Sequence, residues 1–370
     1  MFDDIRPYVD AEISAAMQRI VADKYFPLVC EYAFPGHTVQ EIAAVLGSCR
    51  TVDEFQHRFM WGAVNAIISK TTDGLSAEGV ERLDPSKNYL YVSNHRDIVL
   101  DAAFFDILLD KYGRRTAEIT FGANLMQGQL VIDIGKSNKM FRVERPTTVS
   151  SPRDFLIKSK YLSEYIRHTI TEKKESVWIA QRNGRTKDGC DATDQGIVKM
   201  FGLSGSSDKV QALADLNIVP LCISYEWEPC DVLKALELYA RASGQPYIKK
   251  PGEDLNSILT GIQQFKGRVH LTVCEPISQA DLEPLRGLPS AVFNREVAAL
   301  IDSRILPAYR LYPNAYIAAD MLAGKRSHSY TESEFKAFKK HLELIKEYPS
   351  EVKDILLNIY AAPLLRKAEK

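Results

Sequence analysis

Tyr89-Leu-Tyr-Val-Ser-Asn94-His95-Arg96-Asp97-Ile-Val-Leu-Asp101 decides how the chain is read. The apolar run Tyr89 to Val92 has the length and residue types of a buried strand. Asp97 suits a helix N-cap, and Ile98, Val99, Ala102, Ala103, Phe105, Ile107 and Leu108 mark the apolar face of the helix that follows. Gly113 closes that helix as its C′ residue. His95 therefore stands at the carboxyl end of a strand, just before a helix N-terminus, where open α/β sheets gather their chemistry. Asp97 and Asp101 are one helical turn apart and share a face. Either carboxylate can hold the imidazole in the tautomer that leaves a basic nitrogen free.

The whole chain bounds this reading. Its 370 residues suffice for a full α/β domain with a smaller helical part. With 45% hydrophobic and 26% charged residues it has a globular composition. A net charge of −1 argues against a nucleic-acid-binding protein. Cys30, Cys49, Cys190, Cys222, Cys230 and Cys274 are scattered without a Cys-x2-Cys pair, which predicts reduced thiols in the cytoplasm and no zinc site. The N-terminus has no signal-peptide pattern. The longest stretch without Asp, Glu, Lys or Arg, Ile119 to Ile132, falls short of the ~20 residues a membrane-spanning helix needs.

Upstream, residues 1–75 read as a helical domain. Thr38-x-x-Glu41 and Thr51-x-x-Glu54 are capping boxes, each opening an amphipathic run. Gly74 to Asn88 is turn-rich and introduces the α/β region, 76–285. Ala117 to Phe121 is a strand candidate. Gly122 to Gly135 reads as an apolar loop whose Met126 and Leu130 are core or one wall of a ligand groove. Lys139 to Arg145 reads as a short strand presenting Arg142 and Arg145. Ser151-Pro152 opens a long helix with a structural role. The strand Ser176 to Ala180 runs into Gln181-Arg-Asn-Gly184-Arg185-Thr-Lys187-Asp-Gly189, a turn whose glycines let the backbone approach an anion that its cations neutralise. Asn217 to Tyr225 is a buried strand with Pro220 near its start, and Gly267 to Ile277 is the last strand, with His270 on its half-buried surface. Residues 286–370 are a C-terminal helical segment.

Taken in order, these blocks resemble the glycerophosphate acyltransferase superfamily, the enzymes that acylate glycerol 3-phosphate and lysophosphatidic acid. Asn94-His95 with a nearby Asp is similar to its first block, although the usual His-x4-Asp is here His-x5-Asp and Leu100 stands where the Asp is expected. Either Asp101 serves after a one-residue insertion, or Asp97 does. The segment ending in Arg142 and Arg145 resembles the second block, which contacts the acceptor's phosphate; a planar guanidinium suits that work because it grips two oxygens at once. Gly184 and Arg185 resemble the third block, Glu-Gly-x-Arg, with the intervening residue missing and Asn183 in place of the Glu. The Val219-Pro220 strand resembles the fourth, which lines the acyl-donor site.

The resemblance implies an α/β fold with a mixed sheet, flanked by helical segments at both ends. It implies phospholipid biosynthesis by direct acyl transfer. His95 would be the general base, oriented by Asp101 or Asp97. Arg142, Arg145, Gly184, Arg185 and Lys187 would seat the acceptor phosphate, and Pro220 would contact the donor. The partners implied are an acyl thioester, acyl-CoA or acyl-carrier protein, as co-substrate and a glycerophosphate acceptor, with no metal, no other cofactor and no nucleic acid. The expected place is the cytoplasm, with peripheral contact at the inner face of the membrane left open. A second reading is a phosphate- or phospholipid-binding protein of this fold that has lost catalysis. His95-Arg-Asp97 also matches a kinase loop, but Ala102 stands where that motif needs Asn; an α/β hydrolase is disfavoured because no Gly-x-Ser-x-Gly occurs.

Overall fold

The chain's short apolar runs are strands buried on both faces, which is what a sheet sandwiched between helices requires. In the computed structural model, which describes residues 2–368 apart from 243, 245 and 246, seven strands form one sheet. They are β1 (Leu75–Glu78), β2 (Leu90–Ser93), β3 (Glu118–Gly122), β4 (Met140–Val143), β5 (Val177–Ala180), β6 (Ile218–Tyr225) and β7 (Val269–Val273). Their order is β1-β7-β6-β2-β5-β3-β4. Every neighbouring pair is parallel except β6 and β7. The mixed α/β sheet flanked by helical segments is thus as expected.

The period-2 alternation of β2 divides the core. Leu90 and Val92 face one side, where they join Tyr165 and Ile166 of the long helix Pro152–Thr171 and Phe293 and Val297 of Ser290–Ala308. Tyr91 faces the other side with Trp178, Ile119 and the aromatic pair Phe104 and Phe105 of the helix Leu100–Lys111. Gly113 follows that helix with φ 65°, the left-handed C′ position that glycine adopts without strain. In register, Leu90 lies beside Val177 of β5 and Ile218 of β6. The carboxyl ends of these three central strands therefore converge, and the His95 turn, the Gly184 turn and Tyr225 meet at one edge.

The N-terminal helices have a core of their own in Ile13, Met17, Ile20, Phe55 and Phe59. Both capping boxes form: Thr38 Oγ1 accepts from Glu41 N at 3.2 Å and Thr51 Oγ1 from Glu54 N at 3.1 Å. This bundle corrects one expectation. Residues 122–135 are not all loop, because Gln129–Ser137 is a helix. Its Leu130 and Ile134 pack on the N-terminal core, and buried Asp133 pairs with Arg19 at 2.6 Å and Tyr8 at 2.8 Å. Leu130 is therefore interdomain packing, and Met126 is core.

Three further differences stand out. The turn-rich stretch after Gly74 contains β1, a four-residue edge strand whose Leu75 and Ala77 are half-buried and whose Ser76 and Glu78 are exposed. His270 is fully buried, with Nδ1 2.8 Å from Ser76 Oγ of β1. The C-terminal segment has an additional helix, Pro313–Ala323, which packs with Glu332–Leu342 and Ser350–Ala368 around Ile317, Phe338 and Leu356. No helix among the described residues is long and apolar enough to cross a membrane.

Candidate active site

Chain geometry at the end of β2 fixes His95. Its Nδ1 lies 2.9 Å from Asp101 Oδ2, so the imidazole donates there and leaves Nε2 to the solvent side. The same Oδ2 accepts the backbone N–H of Arg96 at 2.6 Å and of Asp97 at 3.0 Å. Oδ1 accepts the Tyr225 hydroxyl at 2.8 Å. Asp97 does different work. Its Oδ1 takes the free N–H groups of Val99 and Leu100 at 2.9 and 2.8 Å. The helix begins only at Leu100, so Asp97 caps from two residues before the backbone cap Val99, and its Oδ2 is buried without a partner. Burial, and after it the neighbouring Asp101 charge, push the Asp97 carboxyl above the usual carboxylate range. Between the two acids, the carboxylate at the imidazole is Asp101.

A buried ionic network holds the turn from behind. Asn94 Nδ2 donates to Asp191 Oδ2 at 3.1 Å, and Asn94 Oδ1 accepts from Ile223 N at 2.8 Å. Arg96, 1% exposed, reaches Asp191 at 2.7 Å and Glu228 at 3.3 Å and lies 5.1 Å from the Tyr309 ring centroid. Glu228 also receives Lys234 at 2.5 Å, and Lys234 donates to the Arg96 carbonyl at 2.7 Å. Sequence reading missed Arg96, Asp191, Glu228 and Lys234. Only Arg96 carried a local signal, its place beside His95; the others join through tertiary contacts.

His95, itself 8% exposed, opens on a cleft of about 540 Å³. Trp178 of β5 stands edge-on to the imidazole, ring centroids 5.8 Å apart. Two chemistries line the cleft. Phe121, Leu125, Phe155, Leu162, Met200 and Leu203 form an apolar wall, and Arg145, Arg182, Lys158 and Lys199 supply cations. The helix Pro152–Thr171 is thus a wall of the site as well as a structural support.

Arg145 lies across the bare Cα of Gly122. A Cβ there would meet its Nε at 2.9 Å and Nη2 at 3.0 Å. Among the described residues the Arg145 guanidinium has no ion-pair or hydrogen-bond partner; burial, opposed by Asp254 and reinforced by Arg185, pulls its proton affinity down.

Residues 75–224 match the family model Acyltransferase. This segment is an acyltransferase domain. The match runs from β1 to Ser224 in β6, so it contains the His95 turn, the Gly184 turn and every strand of the sheet but β7. A search of curated proteins finds no match. Among solved structures, the chain resembles the crystal structure of the 1-acyl-sn-glycerophosphate (LPA) acyltransferase PlsC from Thermotoga maritima. The two are 14% identical over 78% of this chain and 94% of that chain, with a TM-score of 0.36, too loose a superposition to bear on substrate.

Within the acyltransferase domain the expected site residues fall into two groups. His95, Asp101, Arg145 and Gly184 are brought to one end of the sheet. Gly184, at φ 80°, makes the turn that Asn183 and Arg182 flank at the cleft. Arg185 points behind that turn, with Nη1 buried and unpartnered among the described residues, close enough to Asp97 to oppose its protonation and to Arg145 to repel it. Arg142 and Lys187 are not in the cleft. Arg142 is bound to Glu144 at 2.9 Å and lines a separate polar cavity with Asp4 and Tyr161, because successive residues of β4 point to opposite faces. Lys187 is ion-paired to Glu237 and faces the helix Asp231–Ala242. Pro220 is buried within β6 beside Val92 and does not line the cleft.

Proposed function

We propose that this acyltransferase domain moves a fatty acyl group from an acyl thioester to a hydroxyl of glycerol 3-phosphate or lysophosphatidic acid. The observation that carries the reading is the His95–Asp101 pair opening on a cleft with one apolar wall and one cationic rim. His95 Nε2 takes the proton of the acceptor hydroxyl as its oxygen forms a bond to the thioester carbonyl carbon. The C–S bond then breaks and the imidazolium returns the proton to the leaving thiolate. Transfer is direct, with no acyl-enzyme intermediate. Arg145 and Arg182 hold the acceptor's phosphate. The Arg145 guanidinium keeps no protein partner among the described residues and feels the positive charge of Arg185 behind the Gly184 turn, an arrangement that a bound dianion relieves. The apolar wall receives the acyl chain.

The test uses purified protein, labelled acyl-CoA or acyl-carrier protein, and either acceptor. Turnover is expected, and His95→Ala should lower it by ~10²–10⁴-fold, the usual contribution of a positioned general base. Tight binding of the acceptor without turnover of any thioester would favour the alternative, a binding protein of the same fold.

A further inference from the structure

We propose that Tyr225 is a positioning residue for the reaction: its hydroxyl, bonded to Asp101, sets both the orientation and the basicity of His95. The inference rests on the acyl-transfer reading for its consequence but on geometry for its cause.

Asp101 is the centre of the arrangement. It is 1% exposed and receives four donors. Three of them, His95 Nδ1, Arg96 N and Asp97 N, share Oδ2. The Tyr225 hydroxyl alone occupies Oδ1, at 2.8 Å. Without it the carboxylate would pivot about its crowded oxygen, and the imidazole would pivot with it. With it, both oxygens are anchored on separate elements, the β2 turn and the end of β6.

Tyr225 is suited to this work. It is the last residue of β6, buried, and its ring lies 6.4 Å from that of Phe104 on the helix that carries Asp101. Burial, and after it the Asp101 charge, push its ionisation well above the ordinary range, so it stays a donor. A neutral donor on Oδ1 draws off part of the carboxylate's charge. That weakens the carboxylate's pull on a proton shared with the imidazole.

Other charges face the pair and stay constant in the test. Asp97 lies on the same turn, with Arg185 beyond it. Glu228 acts on Tyr225 from the loop after β6. Arg145, Arg182, Glu144 and Asp194 face His95 across the cleft.

Tyr225→Phe keeps the ring and removes the donor. In the uniformly 15N-histidine-labelled protein, His95, assigned by its loss in His95→Gln, should titrate at a midpoint higher by roughly half a unit to one unit in the variant. If the protein turns over, the acid limb of kcat/KM moves up by the same amount. kcat then falls about 10-fold while KM for the acceptor holds, as expected when a hydrogen bond to a charged group is lost away from the substrate. An unchanged His95 midpoint in a folded Tyr225→Phe protein overturns the inference. Absence of turnover in the unsubstituted protein overturns the acyl-transfer reading instead, and the titration still decides the role of Tyr225.

Discussion

The two turns that meet at the carboxyl edge of the sheet are built on opposite plans. In the Asn94–Asp97 turn almost every polar group is committed to the protein: Asn94 to Asp191 and Ile223, His95 to Asp101, Arg96 to Asp191 and Glu228. On the other side, among the described residues, the Arg145 guanidinium has no hydrogen-bond or ion-pair partner and is repelled by Arg185, which lies behind the Gly184 turn with Nη1 buried and unpartnered. Groups that perform chemistry must be held in one geometry before substrate arrives, so the protein supplies all their bonds. Groups that recognise a charged ligand must keep their bonding capacity for it, so the protein withholds them. The first turn stores stability; the second gives some up.

The sharpest way to break that contrast is Asp191→Ala. It removes the acceptor of Arg96 Nη2, Asn94 Nδ2 and Thr186 Oγ1 at once. Arg96 would be left buried with one carboxylate, and truncating one partner of such a pair costs ~3–5 kcal/mol. Denaturant unfolding should record a loss of that size, with turnover falling as the His95 turn loosens. A variant as stable as the parent would mean that the turn is held by its backbone alone, and the contrast would fail.

Arg145→Ala, just past the end of β4, is the complementary change on the cationic rim. KM for the phosphate-bearing acceptor is expected to rise roughly 10–100-fold, the worth of one charge-assisted pair, with a smaller change in kcat. Stability should fall by less than about 1 kcal/mol, because packing over Gly122 is lost but no hydrogen bond or ion pair of the guanidinium is. Arg145→Lys should recover only part of the binding, since an ammonium cannot grip two oxygens in a plane. A stability loss comparable to that of Asp191→Ala would show that Arg145 is structural.

Legibility in the sequence followed the same division. The strand before His95 and the helix after it could be read because apolar periodicity and Gly113 are local signals. The mixed sheet came from the resemblance to the acyltransferase superfamily, since spacing of strand candidates does not give strand direction. The partner of His95 could not be read, since Asp97 and Asp101 share a helix face; what separates them is that the Val99 and Leu100 amides claim Asp97 while the Arg96 and Asp97 amides claim Asp101. β1 was invisible because its alternation, Leu75 and Ala77 toward the core and Ser76 and Glu78 outward, spans only four residues and one large apolar side chain. The Gln129–Ser137 helix lacks a side-chain cap and is stabilised by the N-terminal bundle rather than by its own pattern. Asp191, Glu228 and Lys234 are remote from His95 in sequence and converge only through packing. Among the cations, a separation of three puts Arg142 and Arg145 on opposite faces of an extended chain, so one guanidinium is turned away from the cleft; which one follows from the place of β4 in the sheet.

That last point carries the smallest expected effect and the finest test of the comparison. Arg142 is a cation in the right block of sequence whose bond is already spent, on Glu144 at a half-exposed site. An exposed pair of this kind contributes ~0–1 kcal/mol, so Arg142→Ala should leave stability nearly unchanged. If recognition depends on guanidinium groups the protein has left free, acceptor KM should also change by less than about twofold. A rise matching that of Arg145→Ala would mean that Arg142 releases Glu144 and swings to the phosphate when substrate binds. The rule separating the two turns would then be wrong in its second half, because a cation paired in the empty protein would have proved as available to the substrate as one kept free.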